Sequence, residues 1–273
     1  STAPLTYYYK AYALMQQGNK TAAGECLAQA DKLSPLNVYP LRLEEVNLFD
    51  ALLQEQPNSA WGHYYYGNLL YYIGQKERAL AEWLKSTELK PDFSISLRNV
   101  GFAYGQQKDW TKSMDYYDRA IKANPDDALL FTESDKIFES ANASLDTRLK
   151  RLESHLKTVM KHDDAVMRLL SLYNATGHYD EAIDIMKDRH FHLWEGGGQI
   201  HDIYVDSHML KGLSLLDKKQ YEEAIQEFDL ANQYPANLEV APSYRGGSEV
   251  KAYYLTGVAY EGLNQSAKAK EFF

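Results

Sequence analysis

Apolar residues recur along this chain at intervals of three and four, the spacing of helices that bury one face each. From Tyr64 to Asp92 the chain reads YYYGNLLYYIGQKERALAEWLKSTELKPD, and from Leu97 to Asp126 it reads LRNVGFAYGQQKDWTKSMDYYDRAIKANPD. Placing Pro91 over Pro125 gives an offset of 34 residues. Gly67 then falls on Gly101, Leu70 on Tyr104, Ala79 on Ser113, Trp83 on Tyr117 and Ser86 on Ala120. Each block predicts a pair of helices. Small residues stand where the two helices touch, and large ones fill the space toward the next pair. The proline ends the second helix, because it cannot donate to the helical ladder.

The same template fits other stretches. The first carries Ala11, Leu14, Gly18, Ala23, Leu27, Ala30 and Pro35. Another carries Leu169, Tyr173, Gly177, Ala182 and Met186, and a third Gly212, Leu215, Tyr221, Ala224, Phe228 and Ala231. The last carries Gly257, Tyr260, Ala269 and Phe273 and stops there. The recurrence in register of several independent positions resembles the tetratricopeptide repeat superfamily along nearly the whole chain. The expected fold is an all-α solenoid of antiparallel helix pairs, right-handed as the resemblance implies. Expected repeats span about 4–37, 60–93, 94–127, 128–161 (degenerate), 163–190, 205–236 and 250–273 (truncated). An extra helix is expected over about 39–56, and long loops over 190–203 and 236–250.

In such repeats the first helix of each pair lines the concave face. Groove positions 2, 5, 9 and 12 are Leu5, Tyr8, Tyr12 and Met15 in the first repeat. In the next two they are Trp61, Tyr64, Asn68 and Tyr71, then Ile95, Arg98, Phe102 and Gly105. Later repeats place Asp164, Met167, Ser171 and Asn174, then Asp206, Met209, Leu213 and Leu216 there. The early groove is thus aromatic and the later one partly acidic. Tyr65, Tyr66 and Leu69 point into the core by the same register. The candidate groove for a protein or peptide partner is Tyr8, Tyr12, Trp61, Tyr64, Asn68, Tyr71, Arg98 and Phe102. Tyrosine, present 22 times, suits such a surface because it joins an apolar face to a polar tip. Repeats that clamp a terminal carboxylate use Lys and Asn at positions 5 and 9. Only Asn68 and Arg98 are compatible with that pattern, so tail recognition of that kind is not expected.

A net charge of −9 and a pI near 5.4 argue against nucleic acid or an anionic membrane as main partner. No apolar run approaches the roughly 20 residues that span a bilayer, so no membrane insertion is expected. The single cysteine, Cys26, allows no intrachain disulfide and reads as core filler. The run Gly196-Gly197-Gly198 has neither the following Lys-Ser/Thr nor the preceding strand of a phosphate loop. No HExxH, CxxC or GxSxG motif occurs, and no acid–base pair stands out. His190, His192, His201 and His208 fall close together, but their spacing matches no compact zinc pattern. No catalytic residue, metal or cofactor is therefore expected, and the chain reads as a non-enzymatic scaffold.

The stretch LYNATGHYDEAIDIMKDRHFHLWEGGGQ, with QYPANLEV later, carries a closer resemblance. It is similar to the C-terminal repeat region of large bacterial proteins whose N-terminal domain is uncharacterised and expected to be β-rich and carbohydrate-related. The resemblance implies a repeat module of a longer bacterial polypeptide, cytoplasmic or periplasmic. The opening without Met and the ending inside a predicted helix agree with that expectation. Such a module would bind a domain of the same polypeptide, or complete or cap that domain's active site. A glycan stacked on Trp61, Tyr64 and Tyr71 is a further reading. The two long loops are expected to emerge on one edge and pack together, with Trp194 as anchor. His192, Trp194, Glu195, His201, Tyr244 and Arg245 form the candidate loop site.

Overall fold

The structure, a computed structural model, describes residues 3–192, 199–240 and 248–273. The fold is all-α. The chain forms two compact units, Ser1–Leu130 and Phe131–Phe273.

The first unit contains α1 (Pro4–Gln16), α2 (Lys20–Ala30), α3 (Glu44–Glu55), α4 (Ala60–Tyr72), α5 (Lys76–Leu89), α6 (Ser94–Gln106) and α7 (Trp110–Ala123). Helices α1 and α2, α4 and α5, and α6 and α7 pack as pairs. Turn chemistry sets their ends. The side chains of Asn19, Ser59 and Asp109 accept the N–H groups of Ala22, Gly62 and Lys112, capping α2, α4 and α7. Helices α5 and α7 stop just ahead of Pro91 and Pro125.

Close approach within four of the pairs rests on glycine. A Cβ at Gly67 would stand 2.5 Å from Trp83 Cδ1, and one at Gly101 would stand 2.9 Å from Tyr117 Cδ2. At Gly212 and Gly257 it would meet the rings of Phe228 and Phe273. These are the neighbours that the 34-residue register requires. The Ser113 hydroxyl donates to the Gly101 carbonyl at 2.7 Å, tying α7 to α6. Tyr65, Tyr66 and Leu69 are buried, as is Cys26.

The extra helix α3 starts at Glu44 rather than near residue 39. Pro40 accounts for the delay, since the residue before a proline is pushed toward extended backbone. Residues 36–43 therefore form a link outside any helix.

The second unit takes in all but the first three residues of α8 (Ala128–Ser140), with α9 (Leu145–Glu153), α10 (Leu156–Val159), α11 (Asp163–Thr176), α12 (Tyr179–Asp188), α13 (Gln199–Asp217), α14 (Tyr221–Ala231), α15 (Ser248–Gly262) and α16 (Ser266–Phe272). Helix α13 begins at Gln199, earlier than the expected resumption near Ile203. Ile200, Tyr204 and His208 are all buried, so one buried stripe continues upstream and holds the extra turn in place. One pairing recurs in both units. His63 and Glu82 lie 2.6 Å apart between α4 and α5, and His208 and Glu227 lie 2.6 Å apart between α13 and α14. In each case the histidine stands four residues before the packing glycine, and the glutamate just before the aromatic that covers it.

Candidate functional site

Five of the eight sequence-predicted groove residues converge on one cavity of about 390 Å³ in the first unit. Helix α4 contributes Tyr64, Asn68 and Tyr71, and α6 contributes Arg98 and Phe102. Positions four and seven apart on a helix share a face, which is why these two sets meet. Trp83 of α5 closes the floor.

The aromatic wall is tied together by one T-shaped and one tilted ring contact. Tyr71 and Phe102 stand 5.7 Å apart at 72°, and Tyr71 and Trp83 stand 5.6 Å apart. The Arg98 guanidinium lies 5.9 Å from the Phe102 ring and donates to Asn99 Oδ1 at 3.2 Å. Asn68 is the hub of the polar part. Its Oδ1 accepts from Trp83 Nε1 and from Asn99 Nδ2, each at 3.0 Å. That arrangement fixes the orientation of the Asn68 amide at the cavity wall.

The remaining predicted groove residues are placed otherwise. Tyr8 is 1% exposed, so it belongs to the core and not to a groove surface. Its ring packs on Phe49 and Tyr65, and its hydroxyl meets Ser59 Oγ at 3.2 Å. Helix α3, which packs against both α1 and α4, supplies the cover that a regular repeat would lack. Burial pushes the Tyr8 hydroxyl well above its ordinary pKa. Tyr64 lines the cavity but is only 5% exposed, because Phe93 and Tyr65 pack on its ring. Tyr12 is half-buried against the core and does not reach the cavity. Trp61 is half-buried and outside the cavity lining, and its indole N–H is engaged by the Asp31 carbonyl at 2.9 Å.

Sequence reasoning missed Asn99, which lies beside Arg98 on α6, and Leu36, Asn37 and Tyr39, which come from the link after α2. Leu36 and Tyr39 are 50% and 63% exposed, an unusual state for large apolar side chains next to a cavity. The available signal was Pro35 and Pro40 bracketing that segment, which excludes a helix there.

Of the candidate loop site, Trp194, Glu195, Tyr244 and Arg245 lie outside the described residues, as do Gly196 to Gly198. His192 is exposed, and its backbone N–H donates to Asp163 Oδ2 at 2.9 Å. His201 is buried, 3.9 Å from the Tyr234 ring and stacked on it, with Nε2 3.0 Å from the Gln233 carbonyl. It therefore serves packing rather than a contact surface, because its helix starts early enough to face it inward. The two long connections do meet where they are described. The Phe191 N–H donates to the Asn237 carbonyl at 3.2 Å. The Asn237 side-chain amide donates to the carbonyls of Met186 and Arg189 at 2.7 and 2.9 Å. One asparagine thus closes the end of α12, a role its sequence context did not reveal.

Two family models, both described as tetratricopeptide repeat, match the chain. One covers residues 66–128, and the other covers 5–35, 205–237 and 250–273. Together they take in more than half of the 273 residues. Among solved structures, the chain is similar to YrrB, a TPR protein with an unusual peptide-binding site. The identity is 19%, the TM-score 0.50, and the match covers 67% of this chain and 90% of that one. It is also similar to a chain in the structure of Naa15/Naa10 bound to HypK-THB, at 12% identity and a TM-score of 0.56. That match covers 98% of this chain but 36% of the other. At these identities the likeness is one of fold.

Proposed function

Because the chain belongs to the tetratricopeptide repeat family, we propose that it is a protein-interaction module without catalytic activity, and that its first-unit groove receives a protein segment. The observation that carries this reading is the convergence of Tyr71, Phe102, Asn68 and Arg98 on one cavity beside exposed Leu36 and Tyr39. Flat rings at a cavity wall bury the apolar side chain of a ligand with little loss of rotamer freedom. The Asn68 amide and Arg98 offer donors to backbone carbonyls of an extended segment. The link 36–43 lies outside any helix, and its apolar side chains add contact area where a segment would lie. The occupant is a segment of another protein or of a further domain of the same polypeptide.

Peptides selected on the intact protein from a random phage-displayed library test this. They should carry apolar or aromatic side chains, and Tyr71→Ala or Phe102→Ala should weaken a selected, labelled peptide about tenfold. Selected peptides that bind both variants as well as the parent would remove the groove from the interface. Binding on a glycan array, lost in Tyr71→Ala, would instead favour sugar stacking over peptide recognition.

A further inference from the structure

A second cavity, of about 430 Å³, lies wholly within the second unit, between α8, α9, α11 and α13. The charges on its wall and directly bonded to that wall fall into two sets. In the first, opposite charges are matched. Asp135, 3% exposed, accepts from Arg148 Nε and Nη2 at 2.8 Å each and also from Arg168 Nε. Arg168 and Arg148 also pair with Glu139, at 2.7 and 3.0 Å. Two guanidiniums thus meet two carboxylates and leave no surplus.

The second set is unbalanced. Asp164 on α11 and Asp202 and Asp206 on α13 line the same cavity, and none has an ion pair among the described residues. Among the described residues, Lys136 is the one cation on the cavity wall outside the matched set. Asp202 and Asp206 are one helical turn apart and repel each other. Burial, and then Asp202, push the Asp206 carboxyl above the ordinary range, while Lys251 opposes them. A separate observation points into the same place. Thr132 lines the cavity at 4% exposure, and its hydroxyl has no hydrogen-bond partner among the described residues. A buried hydroxyl left unpaired is unfavourable, and a polar ligand group would satisfy it. Met167 and Ile203 add apolar surface. Among the described residues no group of three or more His, Cys, Asp or Glu could hold a metal ion, so the carboxylates are spread too widely for a single small cation.

We propose that this cavity receives the basic side chains of a partner protein segment. A lysine or arginine head group would sit between Asp164, Asp202 and Asp206. Its methylene stem would lie on Met167 and Ile203, and a polar group of the segment would pair with Thr132. The spread of the carboxylates over two helices matches an elongated, hydrogen-bonding cation better than a point charge. This second site is independent of the aromatic groove in the first unit.

The test uses the intact chain and a fluorescein-labelled Gly-Ser peptide with spaced lysines, followed by anisotropy at low salt. Counterparts carrying glutamate or leucine in place of lysine, and spermine as competitor, complete the set. The lysine peptide should bind and the other two should not. Asp202→Asn with Asp206→Asn should weaken it about tenfold, as loss of close charge partners does. Glu222→Gln with Glu223→Gln removes the same charge from exposed positions on α14 and should change binding by less than about twofold, because exposed charges are screened. Should the double Asp variant melt early, Asp164→Asn on the neighbouring helix carries the same expectation. Equal weakening by both charge-matched pairs would mean diffuse attraction to an acidic chain and would overturn the proposal. So would failure of the lysine peptide to bind, or tight binding of spermine alone. Tyr71→Ala should leave lysine-peptide binding intact, so failure of one site is separable from failure of the other.

Discussion

Replacing Gly67 with alanine tests how packing and groove are coupled. The new Cβ would stand 2.5 Å from Trp83 Cδ1 and Nε1, a separation that real side chains do not tolerate. Trp83 is 3% exposed, so it cannot step aside into solvent. Overpacking of this kind costs about 1–3 kcal/mol. Any movement of the indole also strains its 3.0 Å bond to Asn68, which contributes about 1 kcal/mol. The expected loss is therefore about 2–4 kcal/mol. Urea unfolding followed by circular dichroism measures it. The double variant Gly67→Ala with Trp83→Leu should lose less than the sum of the two single variants, because the smaller side chain removes the clash. Gly18→Ala is the contrast. A Cβ there meets nothing within 4 Å, but φ is +76°, so the cost is conformational, about 1 kcal/mol, with no effect on peptide binding. Unchanged stability in Gly67→Ala, or strict additivity in the double variant, would refute the reasoning.

Asp135→Ala should cost about 3–5 kcal/mol, since it removes the buried carboxylate shared by Arg148 and Arg168 and leaves both guanidiniums with only the exposed Glu139, and thermal unfolding would show it. Burial pushes the Asp135 carboxyl up, but Arg148 and Arg168 outweigh it and hold the carboxyl below its ordinary range. Its stabilising effect is accordingly complete above about pH 4 and is lost as the pH falls through the lower folded value, so the parent and Asp135→Ala should converge in stability on acidification. Asn237→Ala should cost about 1–3 kcal/mol by leaving the Met186 and Arg189 carbonyls without their donor, and hydrogen exchange should rise first at the end of α12. Binding of the lysine peptide should strengthen as the pH rises through the raised Asp206 range. Asp202 and Lys251 act on that carboxyl, and Asp164, Arg168, Lys136 and Glu139 face the same cavity. A flat anisotropy profile between pH 4 and neutrality would contradict the assignment.

The sequence by itself determined the helical repeat and its register. Gly67 against Trp83, Gly101 against Tyr117 and the stops before Pro91 and Pro125 all follow from local rules. A helix period assigns each residue to a face, and glycine and proline act on their own backbone. The same period brought Asn68, Tyr71, Arg98 and Phe102 to one side of neighbouring helices, and placed Asp164, Met167, Ser171 and Asp206 on the later face. Tertiary structure alone decided which of those faces stay open. Tyr8 and Tyr64 occupy groove positions yet are buried, because α3 packs over the one and Phe93 against the other. Tyr39 comes to the cavity from a link that carries no periodicity, and His201 turns inward because α13 starts a turn early. Asn237 finds its acceptors some fifty residues away, and Asp135 finds Arg168 across 33. Periodicity records the direction of a side chain about its own axis. What covers it depends on contacts between segments far apart in the chain, and those exist only once the helices have packed.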